Sequence, residues 1–268
     1  MSVLLIRSFI ATFLMFGVWF IFNHTLNGTV WEGMTLSKSA LIAEYCEFND
    51  TSQFFHQRMN TYSNLAYFFF GTLILQIAYS DYQRSSPFPQ NHLYYFPALS
   101  ALTGFCFIYL SFGSAFFHAS LTWLGQRVDM NGTYSITLVL IGTGLYHVLW
   151  KMNISEKLKL IWIIVLVGIM LSFYKIHLWV SSGILVPLLI LFTMILTGIH
   201  YFQNQNRKYL IIWAISFLLI VVAVKIRTMD VQKINCNPTS LFQGHSVWHF
   251  LTALSSFCSY AFYRFDKK

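Results

Sequence analysis

Eight mostly apolar runs recur along the chain, and most have close to the roughly 20 residues that a helix needs to cross a bilayer. One opens the chain at residues 3–22, and seven follow near residues 60–80, 94–119, 129–150, 158–175, 179–202, 209–229 and 245–264. Only 10% of the residues are charged, against about 25% in soluble domains. The pattern predicts an all-α integral membrane bundle of seven transmembrane helices plus an extra N-terminal anchor helix.

The order of these runs divides the chain into three parts. Residues 1–22 form the predicted anchor, and no small-x-small cleavage site follows it, which favours an uncleaved helix over a signal peptide. Residues 23–59 are polar and acidic, and residues 60–268 form the predicted seven-helix domain. The middle part holds four of the nine acidic residues of the chain: Glu32, Glu44, Glu47 and Asp50.

The basic residues predict an orientation. If every run spans the bilayer, the loops at 81–93, 151–157 and 203–208 lie on one side together with both chain ends. That side has a small excess of Lys and Arg, which places both termini in the cytoplasm and segment 23–59 on the exoplasmic side. Loop charges also explain the net charge of +8. No basic run with interleaved aromatic residues predicts nucleic-acid binding.

Two histidines begin the last apolar run. His245 and His249 are four residues apart, so a helix presents both on one face, where two imidazoles can bind one zinc ion. The pair alone favours a capping and a packing histidine over a metal site, and it becomes informative only with a third ligand. The topology adds a third candidate, because the span that ends at His118 and the span that begins near Asp129 reach the same side of the membrane. Three imidazoles with one open position are typical of catalytic zinc.

This set of residues suggests a reaction. Zinc lowers the pKa of bound water toward about 7 and polarises a carbonyl group. Asp129 is the candidate general base, because it is the one carboxylate near the histidines in this topology. Ser114 and Ser256 share helix faces with His118 and His249 and can position water or a carbonyl, although such hydroxyls are also common packing residues. We expect a membrane-embedded zinc hydrolase of a lipid amide or ester that enters from the bilayer.

The motifs resemble those of the alkaline ceramidase family. This family belongs to a wider group of seven-helix zinc hydrolases that includes the adiponectin receptors and the GPI-anchor remodelling enzymes. Two elements match the wider group: Ser114-x3-His118-x10-Asp129 and His245-x3-His249-x6-Ser256. Two more resemble the ceramidase signature: Cys46-Glu47-x-Asn49 and Asn60-Thr-Tyr-Ser63-Asn64. The match covers roughly residues 44–260.

The resemblance implies hydrolysis of the N-acyl bond of ceramide to a sphingoid base and a fatty acid. In such an enzyme His118, His245 and His249 hold zinc, Asp129 activates the zinc-bound water, and Ser114 and Ser256 support the site. Two alternatives stay open: a zinc hydrolase of another lipid ester or amide, and a receptor-like member with structural zinc. The chain has no sizeable cytoplasmic partner-binding region, so no obligate protein partner is evident.

The resemblance also implies a calcium ion beside the zinc site. The matching positions are Glu44, Tyr45, Glu47, Asn49 and Gln57. The family usually has Asp at the first position and Glu at the last. Calcium prefers several hard oxygens and more negative charge, so the substitution by Gln57 predicts a weakened site.

One pair of cysteines falls in the segments that this topology places on the exoplasmic side. Cys46 lies in the acidic segment and Cys236 lies before the last run. We expect these two cysteines to form a disulfide that ties the two segments together.

Overall fold

A computed structural model describes residues 2–83, 91–149, 154–176, 179–204 and 207–265, and the regular structure within them is helical. A helix lies on each of the eight predicted apolar runs, and two short helices precede the second run. Parts of the loops at 81–93, 151–157 and 203–208 and the last three residues, used above for orientation, lie outside the described residues. The helices are α1 (Ser2–Thr25), α2 (Lys38–Leu41), α3 (Arg58–Ser63), α4 (Leu65–Gln83), α5 (Pro97–Ser120), α6 (Trp123–Leu149), α7 (Glu156–Ile176), α8 (Ser182–Asn204), α9 (Arg207–Val231) and α10 (Gly244–Phe265).

Among these described helices, six are long and apolar enough to cross a membrane: α1 and α5 to α9. This finding indicates a multi-pass membrane protein, and the number falls short of the predicted seven spans plus anchor. The long helices α4 and α10 are less apolar because they carry polar side chains. Helix α4 contains Gln76 and Asp81, and α10 contains two histidines and several hydroxyl groups.

Helices α5 and α6 lie at the centre of the bundle, and most of their residues are buried. Glycine allows them to approach closely, since a Cβ atom at Gly132 would lie only 2.9 Å from the Cα atom of Leu110. Helix α10 contacts α3, α4, α6 and α9. At its far end Arg264 forms a two-point ion pair with Asp81 of α4, at 2.6 and 3.0 Å. The outer helices expose apolar side chains that a bilayer would cover, such as Phe13, Leu171 and Leu218.

The acidic segment lies across the end of α5. The backbone N–H groups of His56 and Gln57 donate to the carbonyls of Ala119 and His118, at 3.1 and 3.0 Å. Helix α1 continues to Thr25, and the side chain of Asn23 within it accepts a hydrogen bond from Phe55 N at 3.0 Å. The segment and α1 are therefore packed on the helix that carries His118.

Cys46 and Cys236 are joined by a disulfide, with their Cα atoms 5.7 Å apart. The bond ties the acidic segment to the loop between α9 and α10. Asp230, near the end of α9, strengthens the same connection. Its buried carboxylate accepts hydrogen bonds from Cys46 N and His245 N, both at 3.1 Å. A Cβ atom at Gly244 would lie 2.8 Å from this carboxylate, so the start of α10 requires glycine.

Candidate metal centre

Three histidines converge where α5 ends and α10 begins. His118, His245 and His249 are buried, and one ring nitrogen of each lies within 4.8 Å of those of the other two. Two of them come from one face of α10, as their spacing predicts, and the third comes from the last turn of α5. Within the described residues this is the group of His, Cys, Asp and Glu side chains that has a metal-binding arrangement.

A glutamine sets the proton position on His118. Gln57 Nε2 donates to Asn49 Oδ1 at 2.7 Å, which leaves Gln57 Oε1 as an acceptor 2.6 Å from His118 Nδ1. His118 Nδ1 therefore carries the proton and donates it to Gln57. The lone pair of His118 is on Nε2, which is buried and has no hydrogen-bond partner among the described residues.

A serine does the same for His249. The hydroxyl of Ser63 donates to the carbonyl of Asn60 at 2.9 Å, so its oxygen accepts from His249 Nδ1 at 2.7 Å. The Nε2 lone pair of His249 is then available. A ligating histidine almost always donates its other N–H in this way, because the bond fixes the ring and raises its basicity.

The residues present fit a zinc ion. Two histidines have their distal Nε2 lone pairs available, and the buried Nδ1 of His245 has no hydrogen-bond partner in the described part of the chain. Burying unpartnered nitrogens is costly, and a metal ion that accepts their lone pairs removes that cost. Three neutral imidazoles are a ligand set suited to zinc.

Ser63→Ala tests the bond to His249. We expect about a tenfold or greater loss of metal affinity, because His249 Nδ1 loses its acceptor and the ring loses its orientation. Competition with a chromogenic chelator measures the change. Ser172→Ala is the matched control, because that hydroxyl is exposed on α7 and bonds only within its own helix. Equal affinities of the two variants would contradict the role assigned to Ser63.

Ser114 lies one helical turn before His118 on α5, and Asp129 lies near Ser114 on α6. The Asp129 carboxylate interacts electrostatically with Ser114, Arg227 and Tyr45. The Ser114 hydroxyl is almost fully buried and makes no hydrogen bond of good geometry within the described residues. The two side chains are therefore neighbours, and they interact with each other. Ser256 is placed differently, since it lines a cleft deeper in the bundle.

That cleft is lined by residues of α4, α5, α6, α8, α9 and α10, and the three histidines are not among its lining residues. Trp248 and Thr252 line it next to His249 on α10, and the hydroxyl of Tyr67 is 2.6 Å from Thr252 Oγ1. Farther along, the lining consists of aliphatic side chains interspersed with hydroxyl groups. It includes Leu110, Ile136, Leu140, Val186, Ile190, Ile220, Thr133, Thr137, Thr193, Ser255 and Ser259. Its apolar walls suit an alkyl chain.

Tyr45 covers the site from the acidic segment. Its ring centroid is 3.9 Å from that of His245 and 5.4 Å from that of His118. Burial raises the pKa of the Tyr45 phenol well above its usual value. This side chain is therefore neutral at physiological pH and shields two of the histidines from water.

The five positions that correspond to a calcium site are each bonded to other groups of the chain. Glu44 lies against Arg227, Glu47 bonds to the start of α3, and Asn49 and Gln57 bond to each other. The carbonyl of Tyr45 accepts from Lys233. The residues present do not fit a calcium ion.

Glu47 gives a pH-dependent stability that can be tested. Burial raises its pKa from 4.5 to about 7, against the opposing effect of the two backbone N–H groups that it accepts from. Between these values the folded chain binds more protons at Glu47 than the unfolded chain, so this residue makes stability fall as the pH rises. We expect wild type to lose thermal stability relative to Glu47→Gln between about pH 5 and pH 8.

Thermal unfolding in detergent across that range measures the effect. Glu32→Gln is the control, because Glu32 is an exposed acid of the same segment. Parallel pH profiles for wild type and Glu47→Gln would contradict the prediction.

Three residues at the site were not predicted to act there. Ser63 was noted only as part of a signature, and Gln57 only as a calcium position. Arg227 was not among the predicted site residues, yet it lies within the apolar run 209–229, where a charged residue is costly and points to function. Its guanidinium is 3.3 Å from Glu44 and 5.8 Å from the Trp248 ring.

The fold and the site define a class: an all-helical, multi-pass membrane protein with three buried histidines converging at one end of the bundle. Among known proteins, the chain is similar to alkaline ceramidase 1 from Homo sapiens. The two are 24% identical over 228 residues, which cover 79% of this chain and 77% of the relative. No protein-family model matches the chain, and no solved structure matches it. The distant similarity suggests the ceramidase family.

Proposed function

We propose that this protein is a membrane-embedded, zinc-dependent amidase that hydrolyses the N-acyl bond of ceramide to a sphingoid base and a free fatty acid. The observation that carries the proposal is the buried histidine triad. An apolar cleft lies in the same bundle, and the ring centroid of its lining residue Tyr67 is 6.4 Å from that of His249. The similarity to a ceramidase supports the choice of an amide of a long-chain lipid.

Each residue of the site has a separate role in the proposed reaction. His118, His245 and His249 would hold the metal, which when bound supplies Lewis-acid polarisation of a carbonyl and makes water more acidic. Asp129 takes the proton from the attacking water and delivers it to the nitrogen of the leaving sphingoid base. Ser114 orients the reactants through its buried hydroxyl. The cleft lined by Ser256 holds an alkyl chain and excludes water.

We place the histidine site toward the exoplasmic side and both termini in the cytoplasm. The disulfide supports this orientation, since such bonds persist in oxidising compartments. Cys46 follows Tyr45, which stacks on His245, so the disulfide and the histidines lie at the same end of the bundle.

The test combines metal analysis with product detection. We expect one zinc ion per chain, together with fatty-acid release from ceramides that stops on chelation and returns with added zinc. Esters of the same fatty acids are tested in parallel. Faster release from the esters would favour another lipid hydrolase, and bound zinc without release from either would favour a receptor-like role.

A further inference from the structure

A lysine lies where the acidic segment presents its backbone carbonyls. Lys233 Nζ donates to the carbonyls of Ala43 at 2.7 Å, Glu44 at 3.2 Å, and Tyr45. An ammonium group has three donors, so all of them are used here. Backbone carbonyls are also typical calcium ligands. The positive charge at this turn therefore comes from the protein itself.

The carboxylates of the segment are also paired with donors of the chain. Glu44 forms an ion pair with Arg227 at 3.3 Å. The two carboxylate oxygens of Glu47 accept separately from Met59 N at 2.6 Å and Asn60 N at 2.8 Å. Neither side chain therefore has both carboxylate oxygens free to bind a cation.

The side-chain amides of Gln57 and Asn49 are also bonded within the chain. Gln57 is almost fully buried and uses both ends of its amide, with Asn49 on one side and His118 on the other. A neutral amide here joins the segment directly to a histidine of the metal centre. Every oxygen position that the resemblance assigns to calcium thus has a donor from within the chain.

We propose that this protein does not bind a calcium ion at the acidic segment. Lys233 and Arg227 supply the positive charge that a bound calcium ion would otherwise provide. Gln57 supplies the link to His118 that the ion would also provide. Lys233 and Gln57 are thus positioning residues for the metal centre. The comparison with calcium-binding ceramidases rests on the proposed function, but the experiment below measures stability and ion content and does not require turnover.

The experiment follows thermal unfolding of the zinc-loaded full chain in detergent, in calcium-free buffer or with about 1 mM calcium, a level that reaches weak sites. We expect the midpoint of wild type to shift by less than about 1 °C between the two conditions. Lys233→Met should unfold about 3–6 °C lower than wild type in calcium-free buffer, because three carbonyls lose a charged donor. Lys225→Met is the matched control, an exposed lysine on α9.

Two results would overturn the proposal. One is a saturable rise of several degrees in the wild-type midpoint with calcium. The other is equal stability of Lys233→Met and Lys225→Met. Equilibrium dialysis of wild type against calcium decides the question even if Lys233→Met does not fold: we expect far less than one ion per chain, and one bound ion would refute the proposal. Absence of ceramide hydrolysis would leave these readouts unchanged and would count against the proposed function only.

Discussion

Asp129→Asn is expected to lower fatty-acid release about a thousandfold while zinc stays bound. The histidines that hold the metal are unchanged, so metal content and thermal stability should remain near those of wild type. The amide of asparagine cannot accept the proton of the attacking water or return it to the leaving nitrogen. Loss of a general base typically costs about 10²–10⁴ in rate.

The measurement is the turnover rate beside zinc content in the same preparation. Asp50→Asn is the matched control, because Asp50 is a partly exposed acid whose carboxylate bonds locally to Ser52. We expect Asp50→Asn to keep nearly full activity. Asp129→Asn with wild-type turnover would remove Asp129 from the base role, and loss of zinc in that variant would reassign it to metal binding.

His249→Ala is expected to remove both the metal and much of the stability that the metal provides. Two remaining imidazoles bind zinc far more weakly, and Ser63 loses the partner of its acceptor oxygen. A ligand present at about 100–1,000 times its dissociation constant stabilises a fold by about 3–4 kcal/mol. For a chain of this size we therefore expect the unfolding midpoint in zinc to fall by about 10 °C.

Zinc stoichiometry and unfolding with and without added zinc provide the readouts. His24→Ala is the control, since His24 is exposed on α1 and bonds only to a carbonyl of its own helix. Added zinc should stabilise His24→Ala and wild type alike and should leave His249→Ala unchanged. An unaltered metal content in His249→Ala would disprove the three-histidine site.

Much of the site could be predicted because the spacing of residues along a helix determines which side chains share a face. A separation of four residues is enough to place His245 and His249 on one face. The alternation of spans then indicates which helix ends meet, and this brought His118 and Asp129 into the prediction. The helical positions were also predictable, because each apolar run is nearly as long as a bilayer is thick.

The bonds from the acidic segment were not predictable in the same way. This segment has no regular period, and its path across α5 depends on tertiary contacts such as Gln57 N to His118 O. Because the segment follows this path, Gln57 contacts His118 and Lys233 contacts the backbone of the segment. The remaining spans stay a prediction: six of the described helices are apolar enough to cross a membrane, and α4 and α10 are not among them because they carry polar side chains on their buried faces.

The polarity of α10 bears on how the protein is made. A segment with this many histidine, serine and threonine side chains gains little on leaving the translocon for lipid alone. Burial of the polar face of α10 becomes favourable once the helix packs against α3, α4, α6 and α9. These helices contribute hydrogen-bond partners such as Ser216 and Tyr67. Packing of α10 into the bundle therefore also assembles the histidine triad, because two of its three members lie on this helix.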